Sequence, residues 1–202
     1  EVETAVAGEL DLVAFARVGA VIEAAREYGI RLKLCFEHFR TFEPGMPFSK
    51  TLRHPDDGRE PESFNAWLRE DTWRELWLEK VKAYTARYGG DPVVAVWELW
   101  NEMDCVEADW EAVVGWTKAM LTVVRQMAPF QMVTNSLGSF DDPEKEAAFE
   151  DFELHQSHFN QVHRYLDQGA PWEICREDPV ALTKHAIDET RRLFKPILLA
   201  ET

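Results

Sequence analysis

Val93-Val94-Ala95-Val96-Trp97-Glu98-Leu99-Trp100-Asn101-Glu102-Met103-Asp104 is the stretch that decides the fold. It opens as a short apolar run rich in β-branched residues, bounded upstream by Gly89-Gly90-Asp91-Pro92. That reads as a strand buried on both faces, the kind found in a parallel sheet covered by helices. Its carboxyl end then sets Glu98, Trp100, Asn101, Glu102 and Asp104 where apolar residues had been. Parallel α/β folds bind ligands at the carboxyl ends of strands. Glu102 is therefore the first candidate for a catalytic residue.

The same unit recurs on either side. Ile30 to Phe36 reads as a strand ending in Glu37-His38, and Gln131 to Thr134 as one ending in Asn135-Ser136. His158 to His163 ends at His163-Arg164-Tyr165, and Lys195 to Ala200 ends in Glu201. Apolar residues at helical spacing predict helices between these strands. The first runs from Leu10 to Tyr28, with Gly29 as its C-terminal cap, and the second from Thr72 to Tyr88, with Trp73, Leu76, Trp77, Val81 and Tyr84 on one face. A third starts at an Asp109 cap and reaches about Met127; a fourth opens at Asp142-Pro143 towards Phe152; the last begins at Asp178-Pro179 and ends near Phe194. The polar segment Arg40 to Asn65, with four prolines and two glycines, reads as a loop over a site or an insertion.

A helix, then strand and helix four times, then a strand points to α/β architecture built of parallel βαβ units. Polar residues at nearly every strand end match a parallel (β/α)8 TIM barrel, whose active site is assembled from successive strand ends. About five of its eight βα units are present, so residues 1–202 read as a single, incomplete barrel domain. Five strands do not close a barrel: the fold is open, or the chain is a segment of a longer one.

Composition narrows the partners. The chain of 202 residues has 37 acidic and 22 basic side chains, a formal charge of −15. Such a surface repels phosphate backbones and anionic lipid, which argues against nucleic acid and membrane surfaces. No glycine-rich phosphate motif follows any strand, so no nucleotide cofactor is expected. Cys35, Cys105 and Cys175 are too few and too scattered for a disulfide framework or a zinc knuckle. No signal peptide or membrane span is visible, and compartment and oligomeric state stay open. Among eight tryptophans, Trp73, Trp77, Trp110 and Trp116 lie at helical spacing and read as packing. Trp97 and Trp100 read as core, with Trp100 also placed to offer an indole face to a sugar ring.

Two glutamates at the ends of two strands, Glu102 and Glu201, suit acid–base chemistry on a neutral substrate. Glycoside hydrolysis needs such a pair: one carboxyl protonates the leaving oxygen while the other attacks or activates water.

Trp97-Glu98-Leu99-Trp100-Asn101-Glu102 resembles the W-E-x-x-N-E signature on the fourth strand of clan A glycoside hydrolases, including the cellulase and mannanase family, family five. The resemblance implies that Glu102 is the general acid/base and that Asn101 bonds the sugar 2-hydroxyl. Lys195 to Glu201 resembles the seventh strand, which makes Glu201 the nucleophile. His163-Arg164-Tyr165 resembles the H-x-Y of the sixth strand, placing His163 and Tyr165 beside the substrate, with Tyr165 or His163 assisting Glu201. Phe36-Glu37-His38 resembles the end of the third strand, where His38 lines the site. The resemblance covers the chain as strands three to seven of eight; the arginine of the second strand and the tryptophan of the eighth lie outside it. Met103 stands where the family usually has proline.

The implied function is retaining hydrolysis of β-glycosidic bonds in an oligo- or polysaccharide, with no metal and no cofactor. Two alternatives remain: a carbohydrate-binding barrel without turnover, and a metal-dependent barrel hydrolase or isomerase using Glu37, His38, His163 and Glu201. Glu98, inside its strand, reads as a structural carboxylate.

Overall fold

The computed structural model describes residues 3–38, 52–138, 157–163, 166, 168, 169, 173–191 and 195–201. The helix predicted from Asp142-Pro143, and Tyr165, lie outside them. Helix α1 (Leu12–Glu27) starts at Asp11, whose carboxylate accepts the Val13 and Ala14 amides at 2.9 and 3.1 Å. It closes as the sequence predicts. Gly29 takes a left-handed φ of 66°, its N–H bonds Arg26 O at 3.2 Å, and Ile30 N–H bonds Ala25 O at 2.8 Å. That is a Schellman ending, which satisfies carbonyls the helix leaves open.

Strand β1 (Leu32–His38) pairs in parallel with β2 (Val94–Asn101), and β2 pairs in parallel with β3 (Met132–Thr134). Strands β4 (Asn160–His163) and β5 (Ile197–Glu201) form a second parallel pair. His158 links the two sheets: its N–H bonds Val133 O at 3.2 Å and its Nδ1 accepts Val133 N–H at 2.9 Å. Both sheets are parallel throughout, so within each the strand carboxyl ends lie on one side. α/β architecture is thus present, with each strand at the place its apolar run predicts.

Helices α3 (Asp71–Tyr88) and α4 (Trp110–Met127) cover the first sheet. Trp73, Trp77, Val81 and Tyr84 are buried, as is Trp116 of α4, whose ring meets Trp77 edge-on at 4.9 Å. Trp97 lies flat on Phe36 at 5.2 Å and donates its N–H to Gln131 at 2.9 Å. Aromatic area of this size dominates the energetics of a small core. On α1, Ile22 and Ala25 are buried, while Leu12, Val13 and Val21 stay exposed.

Two short helices were not expected, and the first precedes α3. α2 (Phe64–Arg69) is capped by Ser63, whose hydroxyl accepts the Ala66 amide at 3.1 Å, and it buries Trp67 and Leu68. It also corrects the reading of Asp109. That residue sits at the start of α4, but its carboxylate makes no capping bond; it pairs with Arg69 of α2 at 2.7 Å. Two further helices, α5 (Ile174–Glu177) and α6 (Pro179–Arg191), precede β5. Asp178 caps α6 through Val180 and Ala181 at 2.9 and 3.0 Å, with Pro179 in the first turn, where a missing N–H costs nothing. No helix among the described residues is long and apolar enough to cross a membrane.

Candidate active site

β2 ends at Asn101, and the chain turns sharply at Glu102. With φ 56° and ψ 53°, Glu102 is the one described non-glycine residue in the left-handed region. A side chain there costs roughly 1–2 kcal/mol, so something must hold it. The segment after β3 does so. Asn135 Oδ1 accepts the Trp100 amide at 2.8 Å, and Ser136 N–H bonds Trp100 O at 3.2 Å. The Ser136 hydroxyl accepts the Glu102 amide at 3.1 Å, and Ser136 O accepts the Met103 amide at 3.3 Å. Asp104 Oδ1 accepts the Gly138 amide at 2.5 Å, closing the turn. Asn135 and Ser136 are fully buried, so these bonds act away from competing water. The Met103 bond also accounts for a departure in the sequence: proline at this position has no N–H to give Ser136.

Glu102 meets the second sheet through its side chain. Its Oε1 lies 3.0 Å from Nδ1 of His163, an imidazole with no solvent exposure. Nε2 of the same ring faces Nε2 of Gln161 at 3.3 Å. Gln161 in turn bonds Glu98 through its amide nitrogen and Lys33 Nζ through its oxygen at 2.9 Å. Lys33 also reaches Glu98 Oε2 at 2.8 Å. The structure thus brings Lys33, Glu98, Gln161, His163 and Glu102 into one polar chain across three strands. Glu98 is paired within the sheet, in keeping with its structural reading.

The expected site residues divide as follows. His163 contacts Glu102; the expectation that it or Tyr165 assists Glu201 concerns side chains outside the described residues. The backbone of Glu201 occupies the last position of β5 and is the register partner of His163; its side chain, like Tyr165, lies outside the described residues. Asn101 is half-buried at the end of β2, in register with an exposed His38 at the end of β1. Trp100 is corrected. It has no exposed surface and lies among Phe64, Trp67 and Trp116 at ring distances of 5.3, 5.6 and 5.9 Å, so it packs α2 and α4 onto the sheet and presents no face to a sugar.

Among the described residues, no group of three or more histidine, cysteine, aspartate or glutamate side chains is placed to hold a metal ion. Glu37 is turned to α3, where its carboxylate accepts the Trp77 indole N–H at 3.0 Å and pairs with Lys80. Burial pushes the Glu37 carboxyl above its ordinary value, against the pull of Lys80. Burial also drags the Lys80 ammonium down, but Glu37 and Glu3 together outweigh this and hold it above the ordinary lysine value. Sequence reasoning missed Lys33 and Gln161. The signal was a charged and an amide side chain inside otherwise apolar strands, Gln161 two residues before His163 and hence on its face.

No protein-family model matches the chain. Among curated proteins, mannan endo-1,4-β-mannosidase F of Aspergillus clavatus is 25% identical over 118 residues, 58% of this chain and 26% of that protein. The probable mannan endo-1,4-β-mannosidase F of Aspergillus flavus is 22% identical over 124 residues, 24% of its length. Among solved structures, the endo-β-1,4-mannanase of Thermotoga petrophila superposes with a TM-score of 0.69 at 18% identity, covering 92% of this chain and 44% of that one. The family 5 mannosidase of Rhizomucor miehei gives 0.65 at 15% identity, over 95% and 52%. The chain spans about a quarter of the length of these curated relatives and about half that of the solved enzymes. The resemblance carried by the strand-end motifs therefore stands: this chain is similar in sequence to fungal mannan endo-1,4-β-mannosidases and shares its fold with glycoside hydrolases of family five.

Proposed function

We propose that the protein is a retaining glycoside hydrolase acting on β-1,4-linked mannan, and that residues 1–202 form strands three to seven of its (β/α)8 barrel, as one incomplete domain. The carrying observation is the 3.0 Å contact between Glu102 and the buried His163, which joins the ends of two strands far apart in the chain. The register of β4 with β5 supports the pairing, because it sets the backbone of Glu201 beside His163. Glu201 attacks the anomeric carbon while the Glu102 carboxyl protonates the departing oxygen. Glu102 then takes a proton from water, which releases the sugar from Glu201. Asn101, His38 and Tyr165 line the sugar beside the scissile bond. A retaining pair holds its carboxyl groups about 5–5.5 Å apart.

The test is release of reducing ends from β-1,4-mannan by the full-length protein, with the anomer formed first read by proton NMR. The wild type hydrolyses with retention, and Glu102→Gln and Glu201→Gln each lower the rate by about 10²–10⁴-fold. Inverted product refutes the double displacement. A wild type that binds mannan yet turns over no faster than Glu102→Gln replaces hydrolysis with carbohydrate binding.

A further inference from the structure

The polar chain beneath Glu102 contains more direction than a list of contacts conveys. Lys33 has only donors, so the Gln161 atom 2.9 Å from its Nζ is the amide oxygen. The Gln161 nitrogen then faces Glu98, an acceptor, and both contacts are satisfied. Reversing the amide sets N–H against ammonium and oxygen against carboxylate, two repulsions inside a group where Gln161 and Glu98 are each 1% exposed. The orientation of Gln161 is thereby fixed by its two charged neighbours.

Its second amide hydrogen is directed to His163. Nε2 of that ring, 3.3 Å away, must accept, which leaves the ring hydrogen on Nδ1. Nδ1–H then donates to Glu102 Oε1 at 3.0 Å. When Glu102 carries its proton, Oε1 is already occupied as an acceptor. The transferable proton is therefore confined to Oε2.

We propose that Gln161, clamped by Lys33 and Glu98, is a positioning residue that sets the tautomer of His163 and, through it, which oxygen of Glu102 presents the proton. The inference rests on Glu102 being the acid/base, as argued above. It adds three residues, one each on β1, β2 and β4, to what holds that carboxyl. None of the three touches substrate, and their effect passes through the imidazole. Outer groups that hold an active side chain in the right tautomer and direction influence rate out of proportion to their distance from the chemistry.

The experiment is nitrogen-15 NMR of the histidine-labelled full-length protein, with His163 assigned by its disappearance in His163→Asn. The wild type shows His163 as a single neutral tautomer, protonated at Nδ1 and bare at Nε2. Gln161→Leu removes the donor to Nε2 and leaves His163 in the other tautomer or a mixture. It also lowers kcat on mannan by about 10²-fold, with KM within about twofold, because substrate contacts are untouched. Lys33→Met releases the amide orientation without shortening Gln161 and moves the same resonances. It is the second readout should Gln161→Leu fail to fold. A wild-type ring protonated at Nε2, or at both nitrogens, overturns the proposal. So does a Gln161→Leu protein with unchanged ring signals and unchanged kcat. A wild type with the Nδ1–H ring but no glycosidase activity sinks the hydrolase reading alone, since the tautomer is read without turnover.

Discussion

Replacing Lys80 with methionine tests what holds β1 to the helix layer. Lys80 projects from α3 and is almost fully buried; its ammonium meets Glu3 at 3.0 Å and Glu37 more closely still. Methionine keeps roughly the same volume and removes only the charge. Two carboxylates, each 7% exposed, are then stranded without their cation, although Glu37 keeps the Trp77 N–H and Glu3 keeps the Gly8 amide. Breaking a buried pair from one side costs about 3–5 kcal/mol. Lys82, two residues along the same helix, supplies the control. Its pair with Glu79 at 2.5 Å is half-exposed on both sides, and such pairs contribute about 0–1 kcal/mol. Denaturant unfolding followed by tryptophan fluorescence separates the two. Lys80→Met falls by about 3–5 kcal/mol and Lys82→Met by under about 1 kcal/mol.

The pH dependence has a definite sign. The Glu37 carboxyl is raised above its ordinary 4.5, so its charged form opposes folding and the contribution is lost as pH rises through the folded value. Without Lys80 that opposition grows, so the Lys80→Met deficit is largest near neutrality and shrinks as pH falls towards 4.5. In the wild type the Lys80 ammonium is held above its ordinary 10.5; its contribution is present below that value and lost as pH climbs beyond it. A Lys80→Met protein within 1 kcal/mol of wild type at pH 7, or a deficit that does not shrink in acid, refutes the reasoning.

Two more perturbations probe the turn at Glu102. Ser136→Ala leaves the Glu102 amide without its 3.1 Å acceptor. It lowers stability by about 1–3 kcal/mol, measured by unfolding; under the proposed hydrolase reading it also reduces kcat on mannan more than it changes KM in steady-state kinetics. In Gly138→Ala the added Cβ would lie 2.8 Å from Cys105 Sγ and 3.3 Å from Asp104 Oδ2, a crowding that costs about 1–3 kcal/mol. Cys105→Ala recovers part of that loss when combined with it, which a double-mutant cycle in thermal unfolding detects.

Strands were legible because each is a short apolar run that gives way to polar residues where the sheet ends. That signal is local, and it placed Glu102 and His163 at strand ends before any tertiary contact was known. Helix α2 was not legible in the same way. Phe64, Trp67 and Leu68 supply barely one turn of apolar spacing, less than a periodicity needs, and Ser63 is its one local mark. The error at Asp109 follows from it: a carboxylate before a helix caps by default, but here Arg69 of the unforeseen helix takes it. Trp100 fails for a related reason. Alternation puts it on the face of Glu98, yet Trp67 of α2 and Trp116 of α4 close around its ring. The partnership of Lys33 with Gln161 spans 128 positions and had no local trace beyond the polarity of two residues inside strands.

Two features of the molecule cost free energy that packing alone would have avoided. One is the left-handed backbone at Glu102, held by Ser136. The other is a run of charged and amide groups from a partly exposed Lys33 to the buried Glu98, Gln161 and His163, where apolar residues of similar size would fill the space at less desolvation cost. These features differ in kind, one in the backbone and one among side chains, and both meet at Glu102. Strain of this sort persists only where the surroundings over-determine it, and it gathers at functional sites. Stability of the sheet accounts for neither; a need to hold one side chain in one direction accounts for both, and this is the physical argument behind the proposal that Glu102 is the working acid.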